Sequence, residues 1–439
     1  MNKNKEFFDL KELLIKKKAT IGIVGLGYVG LPLALAYAKK GFNVIGLDID
    51  NSKVKKLNNS ESYIKHIDDK IISEFISKKL LKATSNFSYA ERFDAIILCV
   101  PTPLNKYREP DLSFIRETIN SLLPYLRKGQ ILSLESTSYP GTTKEEILPL
   151  IESQGFEIGN NYFLIYSPER EDPGNKTFNT FNTPKVLGGM TENCKNLGIH
   201  LYEKIVKKII PVSDTNTAEM TKLLENIHRA VNIGLMNELK PLADKMNVDL
   251  YEVIRAAETK PFGFVPYYPG PGLGGHCIPI DPFYLTWKAR EFGMHTKFIE
   301  LAGEINSSMP QYVIDKVISA LNCQNKPLKN SKILILGLGY KKNVDDMRES
   351  PSIEIIKLLI DKQAIVNYSD PYFDHFPKLR RFAFESKSIH ISAQSLSDFD
   401  SVILVTDHDS FDYELIKNNS KLIIDTRGRY KPSENIIRA

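Results

Sequence analysis

The 439-residue sequence is poor in cysteine, with four in all, and no two of them lie close together. They form no CxxC pair, so the spacing typical of a zinc site or of a small disulfide-stapled fold is absent. We therefore expect no metal site, and each cysteine has to be interpreted from its own surroundings. Cys99 lies inside the apolar run AIILCV and is interpreted as structural.

Long apolar runs are also missing from the sequence. No run reaches the roughly 18 residues that a membrane-spanning helix needs, and the lysine-rich start has no apolar signal core. We expect a cytoplasmic protein with no membrane partner. The 58 Lys and Arg nearly balance the 53 Asp and Glu, and no clustered basic and aromatic stripe indicates a nucleic-acid partner.

The first half of the sequence alternates short β-rich runs with longer helical stretches. Residues 20–50 read as an apolar strand, a glycine turn, an apolar helix and a second strand that ends in acids, which is one βαβ unit. Later runs such as AIILCV and FLIYSP extend this alternation and predict a mostly parallel sheet to about residue 212. The predicted fold class is α/β, with two doubly wound Rossmann-like domains joined by a long central helix and a helical middle domain.

A long helical pattern begins at Asp214, with Ser213 and Thr215 as candidate caps. Pro241 is predicted to kink this helix or to end its first run. A proline- and glycine-rich loop follows at 260–282, and the α/β alternation restarts at KILILGLGY. These changes of pattern predict domain boundaries that divide the chain into the segments 1–212, 213–325 and 326–439.

A GxGxxG motif directly follows the first strand and opens the first helix. Gly25 permits the turn, Gly27 lets the backbone approach a pyrophosphate, and Gly30 admits close packing. Asp48 closes the next strand, where a carboxylate accepts hydrogen bonds from the adenosine ribose and repels a 2'-phosphate. The segment 1–212 is therefore predicted to bind NAD in preference to NADP. A glycine turn without a ligand is the alternative.

The second glycine turn differs from the first. Gly337 and Gly339 are followed by no third glycine, and Lys341 and Lys342 occupy the place where a dinucleotide would approach the backbone. Two ammonium groups at the end of a strand suit the diphosphate of a substrate. A pair of solvated lysines explains the sequence equally well.

Cys277 lies in the loop GPGLGGHCIPID, in which glycines remove side chains around it and Asp281 follows four residues later. Lys222 and Asn226 are four residues apart on the predicted long helix, so they project from one face, and Lys222 can favour the thiolate if the loop folds over it. Glu169 follows the strand FLIYSP, where chain exits face the ligand crevice of such sheets. An inert cysteine, a solvated lysine and an ordinary loop carboxylate are the alternatives.

Seven motifs occur along essentially the whole chain: VGLGYVGLP, CVPTP, YSPER, AEMTKLLEN, GPGLGGHCIPIDP, GYKKNVDDMRESPS and IDTRG. In this order and at this spacing they resemble the UDP-glucose/GDP-mannose dehydrogenase family. The combination is most similar to the bacterial branch that oxidises UDP-N-acetyl-D-glucosamine at C6 in O-antigen and capsule pathways.

The resemblance implies roles for residues at matching positions. The implied catalytic residues are Cys277 as nucleophile, Asp281 as its supporting carboxylate, Lys222 at the developing oxyanion, Asn226 holding substrate and water, Glu169 activating water, and Thr137 near the reacting centre. The implied NAD contacts are Gly25, Gly27, Tyr28, Val29, Gly30, Asp48, Thr102, Thr137 and Arg348. The implied substrate contacts are Glu169, Lys222, Asn226, Gly274 and Lys341.

The resemblance also implies a homodimer through the central helix, with UDP held by the segment 326–439. The implied reaction is an NAD-dependent four-electron oxidation of UDP-N-acetyl-D-glucosamine to its uronic acid, through thiohemiacetal and thioester intermediates on Cys277. UDP-N-acetylmannosamine, UDP-N-acetylgalactosamine and UDP-glucose are alternative substrates. A two-electron alcohol dehydrogenase of the hydroxyacid type and a non-catalytic NAD-responsive binding protein are alternatives of other kinds.

Two positions differ from the UDP-glucose branch of the family. Pro173 stands where that branch has a second glutamate, and His276 stands where it has a small residue before the cysteine. Both changes fit the N-acetylhexosamine branch. With one carboxylate missing, the group that activates the hydrolytic water stays open at this point.

Replacing Cys277 by serine tests the covalent mechanism. We expect Cys277→Ser to abolish formation of the sugar acid, because a hydroxyl cannot replace the thiolate as nucleophile and leaving group, while NAD binding is retained. Chromatography of the reaction products and calorimetric titration of NAD measure the two effects. Acid formation at the wild-type rate would exclude a covalent intermediate on this residue.

Overall fold

The computed structural model describes residues 4–64, 67–170, 177–275, 278–377, 382 and 384–439. The strands in this part of the chain are short, and most of them are buried. The strands are β1 (Thr20–Val24), β2 (Asn43–Leu47), β3 (Leu81–Thr84), β4 (Ala95–Leu98), β5 (Gln130–Leu134), β6 (Tyr162–Tyr166), β7 (Lys185–Gly189), β8 (Ile209–Pro211), β9 (Lys332–Leu336), β10 (Ile365–Ser369), β11 (Ser401–Leu404), β12 (Ile423–Asp425) and β13 (Ile436–Arg438).

Helices connect most of these strands. They are α1 (Lys5–Ile15), α2 (Gly30–Lys39), α3 (Asn51–Asn58), α4 (Asp69–Ser77), α5 (Ser113–Leu122), α6 (Leu148–Glu152), α7 (Glu192–Tyr202), α8 (Thr215–Lys245), α9 (Leu250–Glu258), α10 (Asp281–Ala289), α11 (Lys297–Cys323), α12 (Pro351–Asp361), α13 (Ala393–Ser397) and α14 (Tyr413–Asn419). Short 3-10 helices span Phe87–Arg92, Leu123–Tyr125 and Arg290–Phe292, and a π-helical turn spans Thr143–Ile147.

The first sheet has the strand order β3-β2-β1-β4-β5-β6-β7-β8. Its pairs are parallel from β3 to β6, so these strands end at one common edge. Strand β7 then runs antiparallel to β6, and β8 runs parallel to β7. The predicted mostly parallel sheet is confirmed, and the reversal at β7 is a feature that the sequence pattern did not indicate.

The second sheet has the order β10-β9-β11-β12-β13, and all of its pairs are parallel. Alternate residues along its strands pack into two separate hydrophobic cores, one on each face of the sheet. Ile333 and Ile335 pack with residues of α11 and α12, whereas Leu334 and Leu336 pack on the other face with Leu396 and its neighbours. Helices thus cover both faces, as the hydrophobic runs of a parallel sheet require. The fold class predicted from the sequence is confirmed.

Helix α8 begins with a different cap from the one predicted. The carboxylate of Asp214 accepts the backbone N–H of Thr217 at 2.7 Å, so Asp214 satisfies one of the free donors of the first turn. Ser213 instead contacts the hydroxyl of Thr217, and Thr215 is already helical. Both predicted caps are therefore wrong, because the helix starts at Thr215 and the residue at the cap position is Asp214.

Helix α8 continues through Pro241 to Lys245, so of the two predicted effects of this proline, a kink or an end, the end is wrong and the kink stays a prediction. A proline inside a helix costs about 3 kcal/mol through its lost hydrogen bond. Met236 and Ala243 flank it and are buried with Leu250 and Ile254 of α9. This apolar contact after the proline offsets the local cost.

Glu219 anchors the start of α8 to the loop before the π-helical turn. Its carboxylate accepts the N–H of Gly141 at 2.6 Å, the N–H of Thr143 at 2.9 Å and the Thr143 hydroxyl at 2.7 Å. Burial raises the pKa of Glu219 to about 7 despite these three donors. The helix that carries Lys222 is thereby fixed to the chain that follows β5.

The chain divides into two compact units. The first contains residues 1–225 and 283–294, and the second contains 226–282 and 295–439. The predicted three-segment boundaries are not tested by this division and stay predictions. In the part of the chain that the structure describes, no helix is long and apolar enough to cross a bilayer.

Candidate active site

The three glycines of the turn after β1 have different surroundings. Gly25 has a φ of +92°, and a Cβ there would lie 2.6 Å from the carbonyl oxygen of Cys99. A Cβ on Gly30 would lie 1.9 Å from the carbonyl oxygen of Gly25, so this position admits glycine alone. A Cβ on Gly27 would meet no atom within 4 Å. The chain itself leaves Gly27 open, which fits the approach of a pyrophosphate to the N-terminus of α2.

Asp48 follows β2 and is almost fully buried beside this turn. One carboxylate oxygen accepts the N–H of Leu26 at 2.8 Å, and the other accepts the N–H of Asp50 at 2.9 Å. Lys53 of α3 lies 3.3 Å away. A carboxylate offers about four acceptor positions, so capacity for a ribose hydroxyl is left. The glycine turn and Asp48 together fit the adenosine half of a dinucleotide.

Lys53 was missed by the sequence analysis. It neutralises part of the Asp48 charge, so selection for NAD depends more on the acceptor oxygens of Asp48 than on repulsion of a 2'-phosphate. A lone lysine in a helical stretch carries no sequence signal. Only the fold of α3 over the end of β2 identifies it.

Residues after β4 and β5 complete this edge of the first sheet. The Thr102 side chain is buried, and its carbonyl oxygen accepts the hydroxyl of Tyr284 at 3.0 Å. Ser136 donates to the carbonyl oxygen of Val100 at 2.6 Å and thereby joins the two strand exits next to Thr137, which is half-buried. Thr102 and Thr137 thus lie on the same sheet edge as the glycine turn.

Tyr28 and Val29 connect Gly27 to the first residue of α2. Tyr28 is exposed, and Val29 is half-buried at the helix cap. Their backbone lies between the open position at Gly27 and the crowded position at Gly30. Their contact with the cofactor stays a prediction.

Glu169 follows β6 and is half-buried. Its carboxylate accepts the N–H of Arg170 at 2.6 Å. The guanidinium of Arg170 in turn binds Glu225 of α8 through two hydrogen bonds of 2.5 and 3.1 Å. Because Glu225 lies one turn after the buried Lys222, the structure ties the segment of Glu169 to the helical turn of Lys222.

Asn226 and Asp281 are joined directly in the second unit. The Asn226 amide donates to the Asp281 carboxylate at 2.5 Å, and Asp281 has no exposed surface. Asp281 is the first residue of α10, four positions after Cys277. Cys277 itself, with His276 and Pro173, lies outside the described residues.

The glycines before Cys277 make room for backbone and aromatic neighbours. A Cβ on Gly274 would lie 2.6 Å from the Cβ of Tyr340, and the N–H of Gly275 donates to the carbonyl oxygen of Arg348 at 2.9 Å. At the other end of the loop, the N–H of Gly270 donates to the Asn237 side chain at 2.9 Å. The described part of the loop before Cys277 is therefore held at both of its ends within the second unit.

The basic residues after β9 have distinct surroundings. Lys342 forms an ion pair with Asp409 at 2.6 Å, so it belongs to a surface pair. Arg348 binds the Asp346 carboxylate, with 2.6 Å between Nη2 and the nearer oxygen. Lys341 lies in the turn that follows the strand. Contacts of Lys341 and Arg348 with substrate and cofactor stay predictions.

The second glycine turn also differs from the first in its distance to a helix. Gly337 has a φ of +85°, but α12 begins only at Pro351. In the first turn, α2 begins five residues after Gly25. No helix N-terminus directly follows Gly337 to receive a pyrophosphate, which agrees with the interpretation of this turn from the sequence.

Among the described residues, no group of three or more His, Cys, Asp or Glu side chains is placed to hold a metal ion. The cysteines within these residues, Cys99, Cys194 and Cys323, are free thiols. Burial, with the negative charge of Glu135, raises the pKa of the Cys99 thiol well above its usual value. Cys99 therefore fits its interpretation as structural, since a protonated buried thiol is a poor nucleophile.

Comparison with known proteins identifies the class. The fold and the glycine turn define a dinucleotide-binding α/β protein. Models of the UDP-glucose/GDP-mannose dehydrogenase family match its NAD binding domain at residues 19–206, its central domain at 216–308 and its UDP binding domain at 334–432. The chain belongs to the UDP-glucose/GDP-mannose dehydrogenase family.

Three relatives place it more narrowly. UDP-N-acetyl-D-mannosamine dehydrogenase of Methanococcus vannielii is 34% identical over 94% of this chain and 93% of the relative. UDP-N-acetyl-D-glucosamine 6-dehydrogenase of Pseudomonas aeruginosa is 32% identical over 92% of this chain and 94% of the relative. The solved UDP-D-ManNAc dehydrogenase of Pyrococcus horikoshii superposes with a TM-score of 0.85 at 33% identity, covering 95% of this chain and 98% of that one. The protein is an NAD-dependent UDP-sugar dehydrogenase.

Gly27→Val tests the cofactor site. The chain leaves space at Gly27, so we expect the variant to fold, whereas the added side chain occupies the approach of the pyrophosphate. NAD affinity should fall by about tenfold or more, equivalent to at least about 1.4 kcal/mol. Calorimetric titration measures the affinity, and thermal melting checks the fold.

Gly30→Ala is the matched control. Its methyl group collides with the Gly25 carbonyl, so this variant should lose stability itself, and its melting temperature should drop. Wild-type NAD affinity in Gly27→Val would contradict the assignment of this turn.

Proposed function

We propose that the protein oxidises UDP-N-acetyl-D-glucosamine at C6 to UDP-N-acetyl-D-glucosaminuronic acid, a precursor for O-antigen or capsule synthesis. The reaction removes four electrons from one carbon in two steps. NAD supplies the acceptor for the hydride in each step. We place the reaction in the cytoplasm, and the free thiols of the described cysteines fit such a reducing compartment.

The two oxidations require a group that retains the aldehyde. After the first hydride leaves C6, the thiolate of Cys277 adds to the aldehyde carbon and forms a thiohemiacetal. Loss of the second hydride converts this adduct to a thioester. Water then adds to the thioester carbon, and the C–S bond breaks to release the acid and the thiolate.

The polar residues on α8 and α10 supply the charges that these steps need. The ammonium of Lys222 and the amide of Asn226 stabilise the negative charge that develops on oxygen. Asp281 orients Asn226 and, as the supporting carboxylate, takes up the proton of the sugar hydroxyl. Glu169 takes the proton of the attacking water.

The observation that carries this proposal is the hydrogen bond between Asn226 and Asp281. This bond holds the start of α10 against α8. Asp281 lies four residues after Cys277 and closes the loop GPGLGGHCIPID. A buried carboxylate is costly to desolvate, and such groups concentrate at functional sites. The pair therefore supports a catalytic role for the adjoining loop.

UDP-N-acetyl-D-mannosamine is the second candidate substrate. It is favoured by the relative and the solved structure that carry this substrate in their names. UDP-N-acetylgalactosamine and UDP-glucose differ from the proposed substrate by one hydroxyl orientation or one acetamido group. Discrimination of this size depends on a few pocket contacts.

A panel assay separates these candidates. The protein is incubated with a limiting amount of each of the four UDP-sugars in turn and with an excess of NAD. The NADH formed per sugar is then measured by absorbance. We expect two NADH per UDP-N-acetyl-D-glucosamine and the highest kcat/KM with this sugar. One NADH per sugar would indicate a two-electron alcohol dehydrogenase. A higher kcat/KM with UDP-N-acetyl-D-mannosamine would assign that substrate.

We further propose that the protein is a homodimer through α8. Large apolar side chains are exposed along one face of this helix and just beyond its end. They are Met220, Leu224, Leu235, Leu242 and Met246. Their spacing follows the helical repeat, so they form one stripe. Leu242 is 53% exposed and Met246 63% exposed, and exposed apolar side chains on one helix face are typical of an interface.

Leu235→Glu combined with Leu242→Glu tests the dimer. Two charges in the apolar stripe should prevent association, and analytical ultracentrifugation should show the monomer mass. Phe292→Glu is the matched control, because Phe292 is a 71% exposed aromatic residue outside α8 and its replacement should leave the dimer intact. An unchanged sedimentation coefficient in the double variant would exclude this interface.

A further inference from the structure

The reversal of β7 brings its first residue to the edge of the sheet where the parallel strands end. Ile165 lies opposite Gly189 and Tyr166 lies opposite Gly188. Just beyond these pairs, the Ser167 hydroxyl donates to the carbonyl oxygen of Val186 at 2.8 Å. Extended by the same register, the pairing sets Lys185 opposite Glu169.

The ammonium of Lys185 is buried among groups from three strand ends. It donates to the Glu135 carboxylate at 2.7 Å and lies 3.4 Å from the carbonyl oxygen of Pro168, the residue before Glu169. Burial alone would lower the pKa of Lys185, but the charges of Glu135 and Glu169 outweigh burial and raise it. The group is therefore a fixed positive charge that contacts Glu135 and lies close enough to Glu169 to interact with its charge.

Glu135 is in turn held by a second donor. The hydroxyl of Tyr202 on α7 contacts its other oxygen at 2.5 Å, and the Ser133 hydroxyl lies 2.8 Å from the Tyr202 oxygen. One oxygen of Glu135 is thus occupied by Tyr202 and the other by Lys185. This arrangement leaves little freedom for the ammonium to move.

The chain on the other side of Glu169 is fixed to the same place. Arg170 donates to the carbonyl oxygen of Pro184 at 2.5 Å, next to Lys185. Both neighbours of Glu169 are thus bonded to the start of β7, through Pro168 on one side and Arg170 on the other. The backbone of Glu169 is therefore held in one place, and its carboxylate accepts the N–H of Arg170.

We propose that Lys185 is a positioning residue for the hydrolysis half of the reaction, holding Glu169 in place and balancing its charge. This inference rests on the proposed function, in which Glu169 accepts the proton of the attacking water while the C–S bond to Cys277 breaks. Lys185 acts through Glu169. Neither hydride transfer uses this water, so loss of Lys185 slows thioester hydrolysis and leaves the oxidations intact.

The double variant Glu135→Gln with Lys185→Met separates this role from folding. Lys185→Met alone leaves Glu135 buried without a counter-charge and is expected to destabilise the protein. In the double variant the glutamine side chain is neutral and still accepts a hydrogen bond from Tyr202, so the protein should fold and bind NAD as the wild type does. Its Glu169 nevertheless lacks the ammonium.

We expect the double variant to form two NADH per active site in the first turnover at the wild-type rate. Its steady-state rate should then be about 10- to 100-fold lower, the effect of misplacing one catalytic group. Intact-mass spectrometry of the quenched protein should show the sugar acyl group accumulating on Cys277. Glu135→Gln alone and Lys185→Arg each keep a cation beside Glu169 and should turn over near the wild-type rate.

Several outcomes would overturn the inference. A folded double variant with wild-type steady-state turnover, or one that loses the first-turnover NADH and accumulates no acyl group, would give Lys185 a structural role alone. Failure of the wild-type protein to reduce NAD with any UDP-sugar would instead contradict the proposed function. The two failures are therefore distinguishable in one set of measurements.

Discussion

The parallel alignment of β1 to β6 is the constraint on which the candidate site of the first unit depends. Parallel strands end at one edge of their sheet, so residues that are far apart in sequence lie together there. Gly25, Asp48, Thr102, Thr137 and Glu169 each follow a different strand of this set. No local interaction gathers them. The same rule places the turn of Lys341 at the edge of the second sheet.

Several polar groups with predicted roles in each unit are already bonded to other parts of the chain. Asp48 supports the glycine turn through Leu26, and Asn226 is committed to Asp281. Buried polar networks are stabilising only when each member is satisfied. A residue that contacts a ligand here therefore also maintains the scaffold, and its replacement has two effects that only separate binding and stability measurements can resolve.

The sequence predicts the parts of this protein that local pattern determines. Strand, glycine turn and helix at residues 20 to 50 identify the dinucleotide fold, and the continuous helical pattern after Asp214 identifies α8. Prediction from the sequence fails where contacts with residues distant in the chain determine the structure. The helix passes through Pro241 because later residues are buried against α9, and β7 reverses because of how it pairs with β6. The roles of Lys53 and Lys185 are visible only from their contacts in the folded chain, since a single lysine forms no recognisable sequence pattern.

The anchor at Glu219 links folding of the protein to the uptake of a proton. The pKa of this carboxyl is about 7 in the folded chain and near 4.5 when unfolded, so between these values the folded state holds a proton that the unfolded state releases. This contribution to stability is complete below pH 4.5 and is lost as the pH rises through 7. The anchor that fixes α8 to the chain after β5 is therefore a contact whose contribution to folding is larger in acidic than in alkaline solution.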